Sequence, residues 1–473
     1  MGYHYILFCI GIPLLGAFLL PFLGRISPRV RNLASLIMVL LTFSAATACL
    51  PAALAGTPYS FSLNLPLGFD CTFIADSLAC FMAMASSFIA AIIIFYSFGY
   101  IEHYANQNEY YMMVTLFIGA MMGLVHSSNL LFIYIFWEIC AVCCWRLIGF
   151  FRGDSIIRRA NKALLITVGG ATLMLLGFIM IYAETGTLNL HDMQGASLST
   201  AAVILILCGI LSESATLPFH CWLPDAGVAP SPVTSMLHAA ILVKIGLFVF
   251  VRIFVQTFSV AEIWNTIVPI IAAVSALVSA GAAIVENDIK RIIAYSTISQ
   301  LAFILLGFST GSLLGIAGGL LYILMHGLAK AGLFLCAGII EHGVHTKDIR
   351  QMGGLYKSMP ITAVCFAMCA FSVMGLPPFG GFFAKYMVIN GAVEADAPWI
   401  AAVFLFGAVL TIIYLLRVFI QVFFGEPKGE LAKEGSWEMV ASVVLFAALS
   451  VLAGIFINLP GDIVLNIVAG LGV

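Results

Sequence analysis

A chain of 473 residues that is 62% hydrophobic and only 9% charged cannot hide its apolar surface in a water-soluble fold, where about a quarter of residues carry charge. A mean hydropathy of +1.11 makes lipid the solvent; a bilayer core takes roughly 20 apolar residues per helix, so the chain has room for about 14 spans. The formal net charge of −2 gives no footing for nucleic acid.

The N-terminal run MGYHYILFCIGIPLLGAFLLPFLGR has no basic stretch ahead of its apolar core. It reads as a first span, at 3–23, rather than a cleaved signal peptide. Further spans are predicted at 31–53, 74–97, 109–126, 128–150, 160–183, 200–221, 233–257, 263–285, 290–309, 314–339, 360–389, 398–424 and 437–459. These runs are too long and too evenly apolar for barrel strands, which alternate over about 10 residues. The expected fold is an all-α polytopic membrane protein. Of the 20 Lys and Arg, Lys244, Lys330 and Lys385 fall inside spans and Arg252 falls at the far end of span 8. The others lie in, or at helix ends facing, loops that follow odd-numbered spans. The positive-inside rule puts those loops in the cytoplasm and both termini outside, in the cell membrane of a prokaryote.

Two spans are interrupted by proline. Span 7 contains Leu217-Pro218, and span 12 contains GLPPFGG at 375–381. Proline leaves helical carbonyls unpaired, and lipid cannot satisfy them, so such breaks face protein or water. The breaks are five spans apart, and an odd offset reverses direction. Inverted five-helix repeats are therefore expected, spans 4–8 (109–257) against spans 9–13 (258–424), flanked by spans 1–3 (1–108) and span 14 (425–473).

Twelve cysteines are scattered mostly through apolar helices, where cysteine packs as a small hydrophobe. The cluster Cys140, Cys143, Cys144 has no second ligand set at a matching spacing, so neither a metal nor an iron–sulfur cluster is expected. So many free thiols fit a reducing habitat.

Ionisable residues inside spans cost about 2.5–3.5 kcal/mol each on insertion scales and are functional candidates by default. Here they form a series: Glu138 in span 5, Glu213 before the break in span 7, His238 and Lys244 in span 8, His326 and Lys330 in span 11, and Lys385 after the break in span 12. His326 and Lys330 are four apart and share a helix face. A proton relay needs groups whose pKa moves with burial and nearby charge, as carboxylates, lysines and histidines do. Tyr295, Ser296, Thr297, Ser299 and Gln300 of span 10 are suited to holding bridging waters. His126, at a span end, reads as interfacial. Asp288, Lys290 and Arg291 read as a cap and anchor that could also take up protons. Haem ligation by paired histidines lacks an attachment motif.

FWE at 136–138, WLPDA at 222–226, APSPVTSMLHAA at 229–240, DIKRIIAYSTISQLAF at 288–303, HGLAKAGLFL at 326–335, MGGL at 352–355 and GLPPFGGFFAK at 375–385 resemble the antiporter-like subunits of respiratory complex I. Mrp cation/proton antiporters and energy-converting membrane-bound hydrogenases, including formate hydrogenlyase, have subunits of the same family. The resemblance runs from about residue 70 to 425. It implies a 14-helix fold with inverted repeats. It also implies that Glu138 is the span-5 glutamate, that His238 and Lys244 occupy the two positions used for the span-8 base, that Lys330 and His326 are the span-11 lysine and its partner, and that Lys385 is the terminal lysine of span 12.

One departure stands out. The family usually carries a lysine in span 7 where this chain has Glu213, so two carboxylates are expected to face each other with one of them protonated. Either Glu213 carries the proton itself, or Lys244 supplies the missing cation, or the first half-channel is altered. Span 6 also lacks the Arg and Asp typical of the L-type complex I subunits. The chain stops shortly after span 14, without the lateral helix of the L-type subunits, whereas LHAA in span 8 is closer to the L-type and to Mrp subunits. The expected role is a proton-translocating subunit of a redox-driven complex of the complex I or hydrogenase type, holding no cofactor or metal of its own and working with membrane and peripheral redox subunits. Two alternatives remain open: an Mrp-type Na⁺/H⁺ antiporter subunit, and a membrane redox enzyme with its own quinone or haem site.

Overall fold

The computed structural model describes residues 2–66, 70–428 and 432–471. Among the described residues twelve helices are long and apolar enough to cross a membrane, so the chain is a multi-pass membrane protein. They are Tyr3–Ile26, Pro28–Leu54, Ser77–Tyr100, Gln107–His126, Leu130–Ile148 and Asp154–Thr185 (spans 1–6), Ser231–Thr257, Trp264–Val285, Ile289–Ser309 and Leu313–Val344 (spans 8–11), and Pro398–Phe423 and Trp437–Ile455 (spans 13 and 14). Two shorter apolar helices, Thr200–Glu213 and Pro360–Met374, fill the remaining places. They are the leading halves of spans 7 and 12.

Side-chain caps set several helix starts by accepting from free backbone N–H groups. Asp76 caps span 3, Asn129 caps span 5, Asp288 caps span 10 and Ser312 caps span 11. The breaks lie where the prolines predict. Span 7 stops at Glu213 and continues through the short turns Phe219–Cys221, Trp222–Asp225 and Ala226–Val228. Span 12 stops at Met374, where Gly375 takes φ +82°, and resumes as Gly380–Glu394. A left-handed turn of that kind admits glycine with little strain.

Two features differ from the sequence expectation. A hairpin, β1 (Tyr59–Asn64) against β2 (Asp70–Ala75), fills the loop between spans 2 and 3. Its buried residues alternate along β2, a period-2 signal lost among longer apolar runs. Beyond span 14 a further helix, Asn458–Ala469, continues the chain.

The spans sort by burial. Spans 10 and 11 are each 94% buried over their most apolar stretch and span 8 is 89% buried, against 33–39% for spans 1, 2, 6, 13 and 14. The outer helices show lipid-facing side chains such as Leu15, Leu165 and Ile420. The central helices, which carry most of the ionisable residues, are walled off from lipid.

Candidate functional site

Glu213 is the last residue of its half-helix and is fully buried. Among the described residues neither of its carboxylate oxygens has a hydrogen-bond partner, and the same holds for Oε1 of half-buried Glu138 and the indole nitrogen of Trp137. Glu138 lies within electrostatic reach of Glu213, and the Trp137 indole is beside the Glu213 carboxyl. No ion pair joins Lys244 to either of them among the described residues. The Lys244 Nζ faces span 11 instead, where a Cβ on Gly327 would come within 2.8 Å of it.

Span 8 is irregular around His238. Met236–Ala240, which holds His238, is a π-helical turn, and Ile241 (φ −125°, ψ −76°) leaves the helical region before the helix resumes at Leu242. Such turns occur often at functional sites. His238 is fully buried, its ring 4.4 Å from that of Phe334. Neither of its nitrogens, nor either nitrogen of buried His326, has a partner among the described residues. His326 lies within electrostatic reach of Lys244, Lys330, His238 and Lys385.

From Lys330 a continuous hydrogen-bonded chain leads on. Lys330 Nζ donates to Ser296 Oγ at 2.6 Å and to the Ile293 carbonyl at 3.2 Å. The Tyr414 hydroxyl donates to the same Ser296 oxygen at 2.8 Å. The Gln300 amide donates to Tyr414 and Thr411 at 3.4 and 3.3 Å, and its carbonyl accepts from Tyr322 at 2.6 Å. The Tyr322 ring is 5.9 Å from Lys385 Nζ. Lys385 donates to the Val373 carbonyl at 2.8 Å, one of the carbonyls freed by the break in span 12, and stacks over Phe303 at 4.6 Å. A cation at a helix C-terminus is favoured by the helix dipole.

Ser296 and Gln300 thus hold the places expected of span-10 polar residues. Thr297 bonds back to its own helix and Ser299 has no partner among the described residues. Tyr322, Tyr414 and Thr411 are members of the network that the sequence does not single out, although Tyr322 is four residues before His326 on the same face. His126, read as interfacial, ends its helix, is fully buried, and has its Nδ1 2.8 Å from the Met122 carbonyl. In the stretch read as a cap and anchor, Asp288 does cap span 10, while Lys290 is buried and paired with Glu341 at 2.6 Å. At the same end of the molecule Asp225 bridges Lys162 and Arg291 at 2.8 and 2.7 Å. Burial works against the Asp225 charge, but the two cations outweigh it and hold the carboxyl below its usual range.

The chain is 33% identical over 436 residues to an Na⁺/H⁺ antiporter subunit of Alkalihalophilus pseudofirmus, covering 83% of this chain and 53% of that protein. It is 33% identical over 398 residues to NAD(P)H-quinone oxidoreductase chain 5 of Synechocystis, covering 79% and 57%. It spans little more than half the length of these relatives. Among solved structures, a chain of the Mrp complex from Dietzia superposes with a TM-score of 0.90 at 22% identity, covering 99% of this chain and 97% of that one. A chain of the membrane-bound sulfane sulfur reductase, an archaeal respiratory membrane complex, gives 0.91 at 23%, covering 98% and 97%. A family model described as NADH:quinone oxidoreductase/Mrp antiporter, transmembrane, matches residues 127–411, and the chain belongs to that family.

Proposed function

We propose that this chain is a proton-translocating membrane subunit, and that Glu138, Glu213, His238, Lys244, His326, Lys330 and Lys385 are its relay. The observation that carries the reading is the series of ionisable groups inside the spans, all but half-buried Glu138 fully or almost fully buried. Most of their polar atoms have no partner among the described residues, which for a buried group costs about 1–3 kcal/mol unless water fills the place. A structural core would gain by replacing them with apolar residues. A water-bridged proton path requires them. The two breaks and the irregular turn of span 8 supply backbone carbonyls that are not locked into helices. Spans 4–8 and 9–13 are read as two inverted half-channels meeting at His326, with the basic face in the cytoplasm.

The drive is read as redox chemistry in partner subunits, conveyed electrostatically or by movement. The resemblance to Na⁺/H⁺ antiporter subunits favours a second reading, in which a cation gradient drives the same relay. Lys244→Ala and Glu138→Gln are expected to abolish proton transport in membrane vesicles holding the whole complex, with the chain still inserted; wild-type rates in both would end the relay hypothesis. Mass spectrometry of what co-purifies from gently solubilised native membranes decides the drive. Hydrogenase or iron–sulfur subunits support redox coupling, and small Mrp-type subunits without redox proteins support antiport.

A further inference from the structure

The relay needs a way in from the basic face, and the packing of span 8 against span 11 supplies one. At that face Glu341, on the last turns of span 11, meets two lysines. Its Oε2 is 2.6 Å from Lys290 Nζ and its Oε1 is 3.2 Å from Lys347 Nζ. Lys290 is buried at 1% exposure, whereas the Glu341 and Lys347 side chains keep 22% and 28%. The carboxylate therefore has one edge toward water and one toward the interior. On the inner side Ser231 Oγ donates to Glu341 Oε2 at 3.4 Å and lies 3.5 Å from the Tyr100 hydroxyl.

Ser231 begins a polar row along span 8. Ser235 follows one turn on, donating to the Ala331 carbonyl at 3.4 Å, and His238 follows it. Span 11 faces this row with small residues. A Cβ on Gly338 would lie 2.5 Å from Ser231 Cβ and 2.6 Å from the Tyr96 hydroxyl, so glycine is what lets the two helices close on the row. Ser231 to His238 is seven residues, roughly 10 Å at 1.5 Å per residue. Two hydroxyls and a few waters cover that distance.

The lysine has a second partner. Lys290 Nζ also donates to the Ala229 carbonyl at 3.2 Å, just before span 8 begins. That bond would keep the ammonium from being stranded if it let go of Glu341. A buried Lys–Glu pair is weak evidence for stability, because desolvation offsets the attraction. Its position at the mouth of a polar seam calls for another role.

We infer that Glu341 is the proton-loading group of the relay, with Lys290 as its gate. Glu341 takes a proton from water at the basic face when Lys290 gives up the carboxylate and keeps only the Ala229 carbonyl, the part-exposed Lys347 moving aside into water. It passes that proton by way of Ser231, Ser235 and water to His238 and then Lys330. When Lys290 returns, the carboxylate is held charged and the path is shut. This rests on the relay reading above.

The test uses vesicles holding the whole complex, with proton uptake measured from the basic face and complex assembly checked by native electrophoresis. Glu341→Gln is expected to slow uptake tenfold or more, Glu341→Asp to recover a large part of the rate, and Ser231→Ala to slow it several-fold. Acetate added on the basic side should partly restore Glu341→Ala, because a small weak acid can stand in for a missing loading carboxyl but cannot mend a packing defect. Lys330→Ala in the same vesicles separates the two levels of argument. If Lys330→Ala abolishes uptake while Glu341→Gln and Ser231→Ala run at the wild-type rate, the loading role is wrong and the relay stands. If Lys330→Ala also pumps normally, the relay reading fails. Should Glu341→Gln not assemble, Ser231→Ala decides, and a wild-type rate there overturns the proposal.

Discussion

A carboxylate ends the leading half of span 7, and nothing about that place welcomes it. Glu213 is fully buried, has no partner for either oxygen among the described residues, and sits at the negative end of a helix dipole, where a lysine would be favoured. Two carboxylates within electrostatic reach in an apolar interior cannot both be charged at small cost. In the relay proposed above, Glu213 is a proton carrier held there against these effects. Glu213→Lys, which restores the residue common in the family, is therefore expected to cut proton transport at least tenfold in vesicles. Full activity in that variant would mean that the glutamate is merely tolerated. At this scale the sequence shows which ionisable residues lie inside the spans, because a charge inside an apolar run is visible without any structure. It is silent about which neighbours they meet. The chain Ser296–Tyr414–Gln300–Tyr322 draws on spans 10, 11 and 13, and no spacing along one helix reveals it. The burial of His126 and Lys290 escapes a sequence reading for the same reason: nearness to a helix end says nothing about which way a side chain faces.

Elements are held in place by a few charged contacts at their ends. At the end of span 8 opposite Lys290, Arg252 pairs with Asp76 through both carboxylate oxygens, and Asp76 also accepts from Ala79 N as the cap of span 3. One carboxylate thus ties the start of span 3 to the π-helical end of span 8, Val251–Thr257. Burial disfavours the Asp76 charge, but Arg252, the Ala79 N–H and Gln256 outweigh it and hold the carboxyl below its usual range. A depressed carboxyl stabilises the fold above its unfolded value of about 3.9, and that contribution is lost as pH falls through the lower, folded value. Arg252 is 4% exposed, so Asp76→Asn strands a buried guanidinium, at a cost of about 3–5 kcal/mol. Thermal unfolding of the detergent-solubilised complex should show this loss, a smaller loss in Asp76→Asn combined with Arg252→Met, and little further loss on acidification of the single variant. Equal stability of Asp76→Asn and wild type would remove the latch. The helices themselves are legible to within a few residues, because twenty-residue apolar runs and proline breaks are strong local signals. The hairpin is not, since its alternation is short and borders a longer apolar run.

Across the whole molecule charge is divided between two ends. Lys162, Arg291, Lys290, Lys347 and Arg350 form ion pairs at one end, while Arg252 with Asp76 is at the other. The positive-inside rule turns this asymmetry into an orientation, and the direction assigned to the loading group depends on it. Cysteine chemistry can check it directly. Of the 12 native cysteines, 10 are buried, Cys208 is half-buried and Cys221 is exposed, so a Cys221→Ser background should be nearly silent to a membrane-impermeant maleimide. In that background Arg350→Cys should label only in inverted vesicles, and Asp192→Cys, in the loop after span 6, only in right-side-out vesicles. Both positions are exposed, so access is decided by the side of the membrane. The reverse pattern would turn the molecule over. Glu341 would then face outward, and the same seam would discharge protons rather than collect them.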